Sequence, residues 1–381
     1  MNATTIHSSA AYADSKNHYE ILDGLRGVAA VMVIVFHLFE AHATSHLDQM
    51  FNHGYLAVDF FFVLSGFVIG YAYDDRWGKM TLKGFFKRRL IRLQPMIVIG
   101  MVVGALFFYF QDSGIWPGIS EVPVWKMLII MLIGWTLLPV PLSMDIRGWQ
   151  EMHPLDGPAW SLFFEYIANI LYALFIRKFT KRWLAVFVFI TGCILIHLAV
   201  TSPKGDIVGG WSLSGEQLRI GFTRLLYPFF AGLLLSRIVK PGHYKHSFLL
   251  CSLMIVILLA FPRIGGSEHL WMNGIYDSFV IIFFFPLIVY LGASGNVTGK
   301  RASKICKFLG DISYPIYITH YPLIYSYTAW VTDHHISWQQ GLPYMVLVMV
   351  SAIALAYACL KLYDEPVRKW LSNRYMTKPA K

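Results

Sequence analysis

The sequence predicts an all-α integral membrane protein with ten transmembrane helices plus one re-entrant or interfacial helix, and three observations carry that prediction. Of 381 residues, 56% are hydrophobic and 14% charged, against roughly 25% charged in an ordinary soluble domain. Apolar runs of about 17 to 25 residues, the length that crosses a bilayer core, recur from Ile21 to the neighbourhood of Cys359 with short polar connections between them. Basic residues, finally, crowd into alternate connections.

The first twenty residues are polar and mixed in charge, without the basic and apolar stretches of a cleaved signal peptide. Residues 1–20 are therefore read as a tail, 21–363 as the transmembrane domain and 364–381 as a basic cytoplasmic tail. The segments run Ile21 to Ala41, Tyr55 to Tyr73, Leu93 to Phe110, Val124 to Val140, Ala159 to Ile176, Trp183 to Val200, Leu218 to Ser236, Ser247 to Phe261, Ile275 to Leu291, Phe308 to Trp330 and Leu342 to Tyr363. Of the 32 Lys and Arg residues, 26 fall at the termini or in the connections that begin at Asp74, Arg177, Arg237 and Lys300. The positive-inside rule assigns all of these to the cytoplasmic side. The fourth segment then cannot cross completely, and Pro123, Pro139 and Pro141 around it suit a re-entrant or interfacial helix. Ten crossings leave both termini cytoplasmic. The formal charge of +10 is thus a topology signal, not a nucleic-acid-binding surface. Cys193, Cys251, Cys306 and Cys359 are scattered through apolar stretches and suggest neither a metal cluster nor a disulfide framework.

Ionisable groups inside membrane helices are costly unless paired or facing a wet cavity, so each is a candidate for function. On the first segment Arg26 and His37 stand eleven residues apart, about 16 Å of rise and nearly three turns. They share a face, with an arginine at the cytoplasmic rim looking up a groove toward a histidine near mid-membrane. The plainer alternative pairs Arg26 with Asp23 and leaves His37 hydrogen-bonded to a neighbouring helix. On the fifth segment Ser161, Glu165, Asn169 and Tyr172 form a polar stripe at helical spacing. On the tenth, Ser313, Tyr317 and His320 share a face, while Asp311 points the other way. Arg224 adds a cation within the seventh segment, and Asp59 an anion at the outer end of the second. In the run Lys87-Arg88-Arg89-Leu90-Ile91-Arg92, Arg89 and Arg92 lie on one helical face, where guanidinium groups bind phosphate oxygens bidentately; contact with anionic lipid is the simpler use.

Taken in order, LDGLRGVAAVMVIVFH, FFFVLSGFVIG, RRLIRLQP, WSLFFE and GDISYPIYITH resemble the acyltransferase-3 family of membrane O-acyltransferases, from about Tyr19 to the last helix. The resemblance implies transfer of an acyl group, commonly acetyl, from cytoplasmic acyl-CoA to a hydroxyl of a carbohydrate or other small acceptor, with no metal. It also implies a bacterial inner membrane. Its arginine-ten residues-histidine motif falls on Arg26 and His37, its arginine-two residues-arginine motif on Arg89 and Arg92, its late motif on Ser313, Tyr314, Tyr317 and His320, and its serine-to-glutamate element on Ser161 and Glu165. Met96-Ile97 stands where relatives often carry aromatics. The expected absence of the extracytoplasmic hydrolase-like domain of some relatives leaves any second activity to another protein.

The expected mechanism puts coenzyme A phosphates on Arg89 and Arg92, with Arg26, and the thioester at His37. Neutral imidazole, with an unperturbed pKa of roughly 6.5, is available near pH 7. Glu165 or Asp23 would orient it, with His320 beside it in the catalytic set. Ser313, Tyr317, Ser161 and Arg224 would meet the acceptor. Direct transfer and an acyl-histidine relay both stand open. The rival reading is a proton-coupled transporter or flippase of a saccharide or lipid-linked substrate.

Overall fold

The structure is a computed structural model that describes residues 19–239, 242, 244–297 and 299–376; the 1–20 tail lies almost wholly outside them. Among the described residues every regular element is helical. In chain order they are α1 (Glu20–Glu40), α2 (Ala57–Tyr73), α3 (Leu82–Phe108), α4 (Val124–Trp135), α5 (Ala159–Leu174), α6 (Lys181–Thr201), α7 (Gly215–Ile238), α8 (Ser247–Ala260), α9 (Leu270–Phe279), α10 (Phe285–Ala293), α11 (Lys300–Thr319), α12 (Tyr321–His334), α13 (Trp338–Cys359) and α14 (Glu365–Tyr375). The π-helical turns Val280–Phe284 and Leu360–Asp364 fuse α9 to α10 and α13 to α14.

Seven helical runs are long and apolar enough to cross a membrane, and α4, α5 and α8 are shorter apolar helices. Outward-facing Leu253, Ile257, Phe283, Val346, Leu347 and Val350 are exposed, as expected of side chains whose solvent is lipid. The core pairs are α1 along α11 and α2 along α7. Lipid offers no hydrophobic drive to bring helices together, so close backbone approach at small residues supplies the contact. Gly66 of α2 lies over the Phe229 carbonyl of α7, and Gly232 of α7 over the Val63 carbonyl of α2, each too close for a Cβ. Gly66→Val is expected to cost about 1–3 kcal/mol by overpacking, read as a lower unfolding midpoint of the protein in detergent.

Three sequence expectations change, and the fourth segment, expected not to cross, is shorter than its expected bounds. Helix α3 begins at Leu82, eleven residues before the expected start, because Thr81 caps it by accepting from the Gly84 amide; Arg89 and Arg92 therefore ride on the helix itself. The fourth segment is 12 residues, about 18 Å long, too short to cross. It buries only Met127, Ile130 and Gly134, leaving Trp125, Leu128 and Leu132 exposed. The single tenth segment is two helices that meet at His320. The basic tail expected from residue 364 continues the last helix to Tyr375.

Candidate active site

Two polar centres lie along the contact between α1 and α11–α12. At the N-terminal end of α1, Asp23 Oδ1 and Arg26 Nη2 pair at 2.9 Å. Arg26 Nε donates to Ser313 Oγ at 2.8 Å, and Ser313 Oγ donates to the Gly310 carbonyl at 2.8 Å. Arg26 keeps 26% of its side chain exposed. Next to this centre, on α3, Arg89 Nη2 donates to Glu165 Oε1 at 2.7 Å, and Ser65 Oγ donates to the same oxygen at 3.1 Å. Arg92 is exposed, has Arg89, Arg26 and Asp23 as electrostatic neighbours, and makes no hydrogen bond or ion pair among the described residues. Three guanidinium groups thus converge on one rim, and one of them is uncommitted.

The second centre is built on His37, which sits in the last turn of α1, at the end opposite the arginines and not near its middle. Its Nδ1 lies 2.7 Å from Glu40 Oε2. A carboxylate only accepts, so Nδ1 carries a proton, and in the neutral ring Nε2 holds the lone pair. The ring stands edge-on to Tyr321 at 4.8 Å and tilted toward His320 at 5.9 Å, with 18% of the side chain exposed. His320 is fully buried. Pro322, lacking an N–H, cannot donate to Ile318 and breaks the helix at this point. His320 Nδ1 donates to the Ile316 and Tyr317 carbonyls at 3.0 Å each, which leaves Nε2 as an acceptor without a partner among the described residues. Tyr317 and Ser161 hydroxyls meet at 2.7 Å and both reach the Pro158 carbonyl.

Several expected partnerships are therefore redrawn. Glu165 belongs to Arg89, and Asp23, fourteen residues below His37 on the same helix, is about 21 Å away along the axis; Glu40 orients the imidazole instead. Arg224, expected to meet the acceptor, is held by partners within the fold. Its Nε and Nη2 donate to Asp59 at 3.3 and 2.7 Å, Nη2 donates also to the Tyr55 carbonyl at 2.7 Å, and Nη1 donates to the Gly209 carbonyl at 3.2 Å. At the level between Arg26 and His37 the contact of α1 with α11 carries an apolar layer of Ala30, Ile34, Ile312 and Ile316, all buried.

Sequence reasoning missed Glu40, although its spacing of three from His37 was readable. It also missed a buried group beyond Tyr321. There the Arg147 guanidinium lies 3.6 Å over the Tyr325 ring, Tyr325 donates to Glu151 at 2.7 Å, and Arg147 donates to Gln111 at 2.9 Å. Burial raises the Glu151 carboxyl to about 7 against the pull of Arg147 and Tyr325. Among the described residues neither carboxyl oxygen of the fully buried Asp156 has a hydrogen-bond partner, and burial followed by the charge of Glu151 pushes its pKa well up. Among the described residues no cluster of His, Cys, Asp or Glu is arranged to hold a metal ion.

Comparison with known proteins gives a family and two informative relatives. Residues 19–361 match the acyltransferase-3 family, described as an acyltransferase domain. "Protein 2 in picA locus" of Rhizobium radiobacter is 30% identical over 186 residues, 47% of this chain and 93% of that protein. The O-acetyltransferase OatA of Staphylococcus aureus is 25% identical over 370 residues, 91% of this chain; the match spans 57% of the relative's length. No solved structure matches the chain.

Proposed function

Since the chain belongs to the acyltransferase-3 family, whose domain covers residues 19–361, we propose that it is an O-acyltransferase that moves an acetyl group from cytoplasmic acetyl-CoA to a hydroxyl of a carbohydrate or similar small acceptor. The observation that carries this reading is the His37–Glu40 pair: an imidazole with Nδ1 held at 2.7 Å by a carboxylate and Nε2 free to take a proton. In this scheme Nε2 removes the acceptor's hydroxyl proton, the oxygen attacks the thioester carbonyl carbon, and the C–S bond breaks. The departing thiolate then takes the proton back from the imidazolium, so no net charge is left on the enzyme. An acyl-imidazole route would use the same nitrogen as nucleophile, and trapping labelled His37 in a single turnover separates the two.

Arg26, Arg89 and Arg92 serve as the phosphate-binding rim of the donor site, with Arg92 the member free to engage a new anion. Arg92→Ala is expected to raise KM for acetyl-CoA about 10- to 100-fold, the worth of one charge-assisted contact, with kcat little changed. Ser161, Tyr317 and Ser313 line the wall between the two centres, and the unpartnered Nε2 of His320 suits a contact to the acceptor or to the developing oxyanion. We place the chain in a bacterial inner membrane with ten crossings and both termini cytoplasmic, which puts the arginine rim inside and His37 near the outer face.

The test is direct. Purified protein given labelled acetyl-CoA should release CoA and pass label to an acceptor fraction, and mass spectrometry of glycans from cells with and without the protein should identify that fraction by an acetyl difference. Uptake of a saccharide into proteoliposomes without acetyl-CoA, and with no thioester consumed, would replace the enzyme reading with the transporter one.

A further inference from the structure

Glu40 has a second neighbour. Its Oε1 lies 3.5 Å from Nε2 of His46, in the loop that follows α1, and His46 Nδ1 lies 3.6 Å from Asp206 Oδ2 in the loop between α6 and α7. Arg263 Nη1, in the loop after α8, holds the same Asp206 oxygen at 3.0 Å. The line His37–Glu40–His46–Asp206–Arg263 thus alternates base and acid from the candidate catalytic imidazole to three separate loops. His46 is also fixed in orientation. Its ring stacks on Tyr55 at 6.3 Å with a 13° tilt and meets Phe36 edge-on, while the Tyr55 hydroxyl donates to Asp277 at 2.9 Å.

We propose that His46 is a positioning residue for His37, acting through Glu40 by sharing one carboxylate between two imidazoles. This rests on the reading of His37 as the base. A carboxylate that faced His37 alone would favour the imidazolium and leave less neutral base at neutral pH. A cation on the far side of Glu40 draws off part of that interaction, and its own charge opposes a second positive charge on His37. The other titratable or charged groups packed around this line are His320 and Tyr321 against His37, Tyr55 against His46, and His53 and Asp277 behind Tyr55. Arg147 and Glu151 act on Tyr321 from the loop before α5. Glu40 also acts on Tyr321, and among the described residues His46 is the imidazole within 4 Å of both Glu40 and Asp206. Burial works to lower the pKa of His46, but contact with Asp206 and Glu40 outweighs it and raises the value to about 9. His46 is therefore a cation across the neutral range and loses that charge only above about pH 9.

The sign of the effect follows. His46→Gln should move the acid limb of the kcat/KM profile for acetyl-CoA, followed as CoA thiol release, upward by about one pH unit. Activity near pH 6.5 then falls severalfold and converges with the parent above pH 9. His46→Lys, which retains a cation at this position, should restore the limb. Asp206→Asn, which keeps the imidazole but weakens its charge, should shift the limb the same way by less, and serves where the glutamine variant does not fold. A limb that stays in place, or a loss of the same factor at every pH, overturns the proposal. His37→Ala run in parallel separates the failures: if it is inactive while the His46→Gln limb has not moved, only the positioning role falls; if it is fully active, the base assignment falls with it.

Discussion

His37→Ala is expected to lower acetyl transfer by about 10²- to 10⁴-fold, the contribution of a positioned general base, while the unfolding midpoint in detergent changes little. The stability side of this expectation follows from the surroundings. Among the described residues the imidazole bonds only to Glu40, on its own helix, and both side chains are partly exposed, so removing the ring leaves no buried charge without a partner. The catalytic side follows from the proposed role of Nε2, whose loss would leave the acceptor's hydroxyl with no base at this position. His320, with its own unpartnered nitrogen 5.9 Å away ring to ring, is the group to watch for residual activity. Full transfer by a correctly folded His37→Ala protein would remove His37 from the mechanism.

The largest structural effect should come from Arg224. Its guanidinium and the Asp59 carboxylate are almost completely buried and face each other at 2.7 Å across α2 and α7. The Trp160 ring lies 5.2 Å from the guanidinium carbon. Two charges withdrawn from solvent tolerate each other only as a pair, and deleting one leaves the other stranded at a cost of about 3–5 kcal/mol. Asp59→Ala and Arg224→Ala should each sharply reduce the yield of folded protein and lower its unfolding midpoint. The double variant Asp59→Leu with Arg224→Met should recover much of the loss, because an apolar pair of similar size carries no stranded charge. If each single variant unfolds at the parental midpoint, the pair does not hold these helices together.

The helical content was legible because an apolar run of a given length has few alternatives in lipid, and the common face of Arg26 and His37 was legible because helical geometry alone fixes it. What crossed between elements was not. Glu151 and Tyr325 are 174 residues apart, and His46 reaches Asp206 through a loop whose path no periodicity announces. Glu40 was overlooked for a different reason: a carboxylate at the end of an apolar run reads as a boundary marker, although three residues is the spacing that lets it turn back on His37. Charge also misled. The dense basic run before Arg92 looked like a connection, yet Thr81 starts a helix ahead of it. Pro315 and Pro322 both fall within the single segment expected from Phe308 to Trp330. Helix α11 absorbs the first, whereas the second coincides with the break at His320.

The four aliphatic side chains of Ala30, Ile34, Ile312 and Ile316 do more than fill space. A continuous column of water between guanidinium groups on one rim and imidazoles toward the other would be a wire for hydrogen ions, and a cell living on its electrochemical gradient would lose power through every copy. Hydrocarbon along that contact would interrupt such a column there.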